Sequence, residues 1–332
     1  MSLLINKAGV LDSIQDNGRY GFQYLGINPT GAMDKLAAQV ANGLVGNNLK
    51  EAVIEMHFPA PVFIFQQTAL IALSGADFSA SINGEPVSVG HPIIVTKNCV
   101  LHFREPVKGV RAYMAVSGGL KIQKWLNSWS THLKAREGGY RGRALQKNDE
   151  IQFNKTVDFS SLLKEKEFIV LPWQADMNWD DPTYPDEVFV LPGNEWTWLN
   201  EKSQKHFLSH EFTITPNSDR MGYRLSSGYL ETMIKEEVVS SAVSYGTIQL
   251  LPGKQLIVLM ADHQTTGGYP RVAHIISAHH SKVAQMKAGD KMNFRLTDQQ
   301  TAEHLLLQQH HHLIQLQNAC ILKLKECSSH EN

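Results

Sequence analysis

The chain has 332 residues, too many for one small core, and at roughly 150 residues per domain its length suggests about two domains. Hydrophobic residues make up 42% and charged residues 19%, with 31 Lys+Arg against 32 Asp+Glu for a net charge of −1, so composition indicates neither disorder nor a basic field for nucleic acid. The longest purely apolar run, Leu256 to Ala261, is far short of the ~20 residues that cross a bilayer. The first residues carry no signal-peptide core, and the scattered Cys99, Cys320 and Cys327 make no disulfide framework. A cytoplasmic chain with no membrane or nucleic-acid partner is expected.

In chain order, the first regular element is a helix over Met33–Leu44. Met33, Leu36, Val40 and Leu44 recur at helical spacing, Asp34 lies in the first turn, and Gly46-Asn47-Asn48 ends it. From Pro61 to Val116 short apolar runs follow one another, VFIF, ALIAL, FSASI, IIV, VLHF and VRAYMAV, as in antiparallel sheet. Between two of them Asn83-Gly84 predicts a two-residue hairpin, with Phe78, Ala80 and Ile82 alternating before it and Val87 and Val89 after. Asn154–Lys166 is polar and reads as a linker. Beyond it FTITP, TIQLL, QLIVLM, VAHII and KMNFRL repeat the strand-rich style. An internal echo relates the halves: LQKNDEIQF, Leu145–Phe153, matches MKAGDKMNF, Met286–Phe294, each a turn feeding a closing strand. Ala302–Glu326 has apolar residues at helical spacing and predicts an amphipathic helix that packs on the second half or on a partner. The resulting division is a first domain over 1–158, a second over 167–300, and a C-terminal helix and tail over 301–332.

Most enzymatic signatures are missing: there is no phosphate loop, dinucleotide fingerprint, nucleophile elbow or zinc-protease motif. The 15 His residues include His310-His311-His312, but consecutive helical positions point in different directions, so no metal site is expected.

Three polar, Gly-rich stretches carry the candidate chemistry. In Ser13–Gly21, followed by Gly31–Asp34, Gln15 and Asp16 sit in a Gly-permitted loop, and Arg19 offers a planar fork to a carboxylate or phosphate. An Asx-type turn with Arg19 in a structural ion pair would explain the same residues. In Asn217–Arg224, Arg220 and Arg224 around Gly222 suit an anionic or urea-like planar group, or else pair with Asp219. In Met260–Pro270 polar groups emerge at the end of an apolar strand. Asp262 could accept a proton, Gln264 and Thr265 could bind an amide, and the Gly267-Gly268 backbone could form an anion nest; a tight hairpin is the alternative.

These stretches resemble one family. The matching runs are QDNGRYG (Gln15–Gly21), GAMD (Gly31–Asp34), ANGLVGN (Ala41–Asn47), Glu55, LSGAD (Leu73–Asp77), AVSGG (Ala115–Gly119) and GGYRGR (Gly138–Arg143). The second half adds SDRMGYRL (Ser218–Leu225), GTIQ (Gly246–Gln249) and ADHQTTGGYP (Ala261–Pro270). Together they are similar to the carboxyltransferase family of the 5-oxoprolinase C subunit, allophanate hydrolase subunit 2 and the carboxyltransferase domain of urea carboxylase, which also contains a regulator that antagonises a sporulation-kinase inhibitor.

The resemblance implies an all-β architecture of two cyclophilin-like β-barrels with a site in the cleft between or beside them. It implies a subunit of an ATP-dependent 5-oxoprolinase opening 5-oxoproline to glutamate, with a companion B-type barrel subunit of 5-oxoprolinase and a third, lactam-cleaving subunit. The alternatives are a carboxyltransferase subunit acting on urea or a related amide with carboxybiotin supplied in trans, and a non-enzymatic regulator. No cofactor is expected to be bound covalently, since no biotin-attachment sequence is present, and ATP is used by the assembled complex. The expected catalytic residues are Asp262, Arg220 and Gln264. The expected substrate-binding residues are Gln15, Asp16, Arg19, Asp34, Glu55, Arg143, Gln249, Thr265, Thr266, Gly267, Gly268 and Tyr269. One departure stands out: Trp129, in Asn127–Thr131, replaces an arginine that the family usually carries, and Arg136, Arg141 or Arg143 would have to compensate.

Overall fold

The structure is a computed structural model that describes residues 2–155, 159–163, 165–176, 186–226, 230–234 and 238–329. The chain forms two compact units, each discontinuous in sequence: Met1–Gly18 with Asp34–Asn178 and His310–Asn332, and Arg19–Met33 with Trp179–Gln309. The linker expected over Asn154–Lys166, and the tail after Ser329, lie partly outside the described residues.

The first unit contains two six-stranded sheets. One orders the strands Glu150–Gln152, Ser2–Lys7, Val62–Phe65, Val100–Phe103, Ala80–Ile82 and Glu85–Pro86; the other orders Phe168–Val170, Pro92–Val95, Ala69–Asp77, Lys108–Val116, Val53–Met56 and Ser13–Gln15. Period-two alternation turns Leu3, Ile5, Phe63, Phe65 and Leu101 of the first sheet, and Ile54, Met56, Ile71, Leu73 and Met114 of the second, into one shared apolar core. The intervening residues of the second sheet face the other way. There the helix Lys35–Leu44 covers them, its N-terminus capped by the Asp34 side chain accepting Ala37 N–H at 2.9 Å. The Asn83-Gly84 hairpin forms as the sequence predicts, with Ile82 paired to Glu85 and both turn residues at positive φ, 52° and 90°.

The second unit contains a closed seven-stranded barrel in the order Glu187–Pro192, Arg271–Ile275, Thr247–Leu250, Leu256–Leu259, Gly222–Ser226, Phe212–Ile214 and Lys291–Leu296. It closes through a parallel pairing of Glu187–Val190 with Asn293–Leu296. Val188, Val190, Tyr223, Leu225, Ile248, Val258 and Phe294 fill the interior together with Met33.

The internal echo has a structural basis. In the first unit Gln146 N–H donates to Asp149 Oδ2 at 2.7 Å, Asn148 N–H donates to Ile5 O, and Ile5 N–H donates to Asp149 O. In the second, Lys287 N–H donates to Asp290 Oδ2 at 2.9 Å, Gly289 N–H donates to Ile214 O, and Ile214 N–H donates to Asp290 O. Asn148 and Gly289 hold the same left-handed position, φ 69° and 93°. The same Asp-capped turn thus feeds a closing strand in both units.

The C-terminal helix runs from Gln299 to Ser329. In its early part Gln309 Nε2 donates to Ala278 O at 3.2 Å within the second unit. From residue 310 it belongs to the first unit, where Leu313 and Cys320 are buried, Gln317 Nε2 donates to Asn47 O at 2.7 Å, and Ile321 and Leu324 lie over Gly46. The expected packing on the second half therefore holds only for its first turns. Among the described residues no helix is long and apolar enough to cross a membrane.

Candidate functional site

The second unit gathers residues from all three Gly-rich stretches. Arg220 and Asp262 form a bidentate pair, Nε to Oδ2 at 2.9 Å and Nη2 to Oδ1 at 3.2 Å, and Arg220 Nη2 also donates to Gly31 O at 2.6 Å. Backbone bonds lock the pair in place: Asp262 N–H donates to Arg220 O at 2.8 Å and Asn28 Nδ2 donates to Asp262 O at 2.8 Å. Arg19 is 1% exposed and donates from Nη1 to Thr30 Oγ1 at 2.9 Å, one residue from Gly31. The guanidinium of Arg220 is thus spent on Asp262 and on the Arg19–Met33 segment. In this arrangement it orients the carboxylate rather than presenting an open fork.

Beside this cluster in sequence lies a cavity of about 350 Å³ lined by Asn217, Asp219, Met221, Gly222, Arg224, Gln249, Leu251, Ile257, Gln264 and Tyr269. Gln249 is fully buried, donates from Nε2 to Tyr269 O at 3.3 Å, and accepts from Gln264 Nε2 at 3.4 Å. A Cβ on Gly267 would stand 2.5 Å from Gln249 Nε2, so the glycine lets the carboxamide keep its place. Thr266 and Gly267 pair with Ser241 and Ala242 as a short two-stranded ribbon, which fixes the loop. Thr265 O accepts from Val243 N–H at 3.2 Å, and Gly268 packs toward Ser240. Of the expected site residues in this unit, Gln249, Gln264 and Tyr269 line the cavity, whereas Arg19, Arg220 and Asp262 form the adjoining hydrogen-bonded cluster.

The remaining expected residues lie in the first unit, and the sheet explains their burial. Ser74, Tyr113, Glu55 and Ser13 form one cross-strand row on the face opposite the core. Tyr113 OH accepts from Asp34 N–H at 2.8 Å and donates to Glu55 Oε2 at 2.8 Å, joining the helix start to a fully buried carboxylate. Burial first, then the charges of Glu55 and Asp34, push the Tyr113 hydroxyl well above the usual phenol range. Gln15 is fully buried, with Nε2 on Ser13 Oγ at 2.9 Å and Oε1 without a hydrogen-bond partner. Asp16 accepts from Ser128 Oγ at 2.8 Å, Trp129 N–H at 2.7 Å and Ser130 Oγ, so it anchors the segment that carries the departure from the family pattern.

At that departure a cation is present from another source. Lys124 Nζ lies 4.0 Å from the centroid of the Trp129 ring. Arg143 is engaged elsewhere: it makes a bidentate pair with Asp149, 2.6 and 2.8 Å, and donates to Ala144 O at 2.9 Å. Its partner Asp149 is held below the usual carboxylate range against the opposing effect of burial. Arg143 therefore braces the Asp-capped turn described above. Tyr113, Lys124, Asn217 and Asp219 were not among the expected residues. The signal for Tyr113 was the alternation Ala112-Tyr113-Met114, which places a phenol on the face opposite the core. Among the described residues no group of three His, Cys, Asp or Glu is placed to hold a metal.

Comparison with known proteins gives a consistent picture. Residues 25–296 match the family model described as carboxyltransferase domain, subdomain A and B. The chain is 35% identical over 293 residues to the 5-oxoprolinase C subunit of Haemophilus influenzae, covering 88% of this chain and 90% of that protein. It is 28% identical to urea amidolyase of Lachancea kluyveri, covering 91% of this chain but only 17% of that longer protein. In three dimensions it is similar to K. lactis urea amidolyase, with a TM-score of 0.84 at 24% identity over 95% of this chain and 20% of the other, a likeness of fold.

Proposed function

Because the chain belongs to the carboxyltransferase domain family with subdomains A and B, we propose that it serves as a subunit of an ATP-dependent 5-oxoprolinase, opening 5-oxoproline to glutamate together with companion subunits. The observation that carries this reading is the match to a 5-oxoprolinase C subunit over most of both chains, 88% of one against 90% of the other. The companions are a barrel subunit of the B type and a third, lactam-cleaving subunit. Cys99, Cys320 and Cys327 are all unpaired, which supports placing the protein in a reducing cytoplasm.

Within this reading the chain's residues bind and orient. Arg220 holds Asp262 in one rotamer, and Asp262 moves a proton at the ring amide or its hydrolysis product. Gln264 and Gln249, which line the cavity, recognise the planar amide, and the Gly267-Gly268 backbone, on the loop between Gln264 and Tyr269, steadies developing negative charge. ATP, used by the assembled complex, supplies the driving force.

The test is ATP-dependent 5-oxoproline turnover by the reconstituted complex carrying Asp262→Asn. A fall of about 100-fold in kcat is expected for a group that moves a proton; a rate near wild type would leave Asp262 a purely structural partner of Arg220. A second reading rests on the urea amidolyase match: transfer of a carboxyl group from carboxybiotin, supplied in trans, to urea or a related amide. A complex that co-purifies with a biotin carrier and carboxylates urea, without consuming 5-oxoproline, would favour it.

A further inference from the structure

The cavity in the second unit has a definite construction. On the strand Gly222–Ser226 the side chains of Tyr223 and Leu225 point into the barrel, so Gly222 and Arg224 belong to its outer face. Leu256 and Val258 likewise turn inward and leave Ile257 outside; Ile248 and Leu250 turn inward and leave Gln249 outside. The strand registers align these outward residues, Arg224 opposite Ile257 and Ile257 opposite Gln249, in a single row across three strands. Next to that row Gly222 contributes no side chain, and a Cβ there would come within 2.7 Å of Ile257 Cδ1. The result is a groove floored by Gly222 and Ile257, with a guanidinium at one side and a carboxamide at the other. Their backbones are two strand spacings apart, about 10 Å. Gln264 and Tyr269 close it from the loop, and Asp219 stands at the rim with Oδ1 accepting from Met221 N–H at 2.8 Å and Gly222 N–H at 3.3 Å.

The charge of Arg224 is unmatched among the described residues. Its hydrogen bond goes to the neutral Gln255 Oε1 at 3.3 Å, and no carboxylate among the described residues lies within salt-bridge distance of it. This differs from Arg220, Arg271 and Arg143, each of which is paired to a carboxylate. An unpaired guanidinium in a groove whose far wall is a buried, oriented amide is complementary to a small molecule with a carboxylate at one end and a planar amide at the other.

We propose that this outer-face groove is the seat of a compact acid amide, with Arg224 holding the carboxylate and Gln249 with Gln264 holding the amide. Resting on the 5-oxoprolinase reading, the proposal names Arg224 and not Arg19 or Arg220 as the residue that binds the substrate carboxylate. Its cavity volume falls in the ~300–1,000 Å³ range of small-molecule sites.

Two measurements test it. In the first, binding of 5-oxoproline, of 2-pyrrolidinone (the amide without the acid) and of cyclopentanecarboxylate (the acid without the amide) to the purified full chain is followed by titration. Arg224→Met is expected to weaken 5-oxoproline about tenfold or more, the cost of one charged hydrogen-bonded contact, while leaving 2-pyrrolidinone unchanged. Gly222→Ala, which fills the floor without touching the charge, is expected to weaken 5-oxoproline and 2-pyrrolidinone alike. In the second, the reconstituted complex is expected to show a KM for 5-oxoproline raised about tenfold by Arg224→Met, with kcat within about twofold and partial recovery in Arg224→Lys. Unaltered binding and KM in Arg224→Met, with an unchanged melting temperature, would overturn the proposal. So would a wild-type chain that binds none of the three probes. If the wild-type complex fails to turn over 5-oxoproline yet the chain binds acid amides in an Arg224-dependent way, the assigned reaction falls and the groove stands. Turnover with a KM indifferent to Arg224 does the opposite: the reaction stands and the groove falls.

Discussion

Asp12 illustrates how a single residue can set the pH response of the fold. It is 1% exposed, Gly9 N–H donates to its Oδ2 at 2.7 Å, and its Oδ1 has no hydrogen-bond partner. Burial pushes its carboxyl up from 3.8 to about 7, outweighing the backbone donors of Gly9 and His57. Between pH ~4 and ~7 the folded chain keeps a proton that the unfolded chain has released, so stability falls as pH rises through that window, by at most ~1.4 kcal/mol per pH unit. Asp12→Asn is expected to flatten this fall and to melt higher than wild type at pH 8. Superimposable melting profiles of the two proteins from pH 4 to 9 would refute the assignment. Nothing in the sequence marks Asp12, because its burial is a tertiary fact. Arg220 and Asp262 were legible, since charged residues in Gly-rich loops announce a polar cluster. Their mutual engagement was not legible, because it depends on where the Gly31 carbonyl arrives. Arg224 stood in a quoted stretch, but its row with Ile257 and Gln249 emerges only from strand register.

At the scale of elements, the helix Lys35–Leu44 and the sheet beneath it are joined by a short polar chain, from Asp34 N–H through Tyr113 OH to Glu55 Oε2. Ser74 Oγ adds a bond to Ala37 O on the same face. Tyr113→Phe removes a hydroxyl that serves two buried partners at once, and a loss of about 1–3 kcal/mol is expected in urea unfolding. The helix itself should persist by circular dichroism, since its cap is the Asp34 side chain and not Tyr113. An unchanged unfolding midpoint would show that water replaces the hydroxyl at no cost. Helix, hairpin and C-terminal helix were readable from spacing and turn chemistry alone. The repeated Asp-capped turn was readable too, because Asn148-Asp149 and Gly289-Asp290 need one backbone conformation and therefore one residue pattern. What spacing could not supply was closure: the sequence shows strands, but the parallel seam between Glu187–Val190 and Asn293–Leu296 joins residues about a hundred positions apart.

For the whole molecule, continuous blocks at 1–158 and 167–300 are our proposal for its domains, while the compact units exchange a segment: Arg19–Met33 belongs with Trp179–Gln309. Met33 is fully buried in the second core, its carbonyl accepts from Tyr245 OH at 2.8 Å, and Gly31 O accepts from Arg220. Losing the Met33 side chain alone is worth about 2–5 kcal/mol, against a total of roughly 5–15 kcal/mol for a folded domain. A fragment spanning 167–309 is therefore expected to lack a cooperative unfolding transition, and one fused to residues 19–33 to regain it. A sharp melt for the fragment without residues 19–33 would favour the continuous blocks as independent folding units. The same exchange governs when the protein can fold during synthesis. The first unit includes Leu313 and Cys320, and the second includes Met33 and residues up to Gln309, so neither assembly is complete until the stretch through Gln309 has been made. Until then two half-built sets of strands coexist on one nascent polypeptide, a condition in which shielding their exposed edges guards against misassembly.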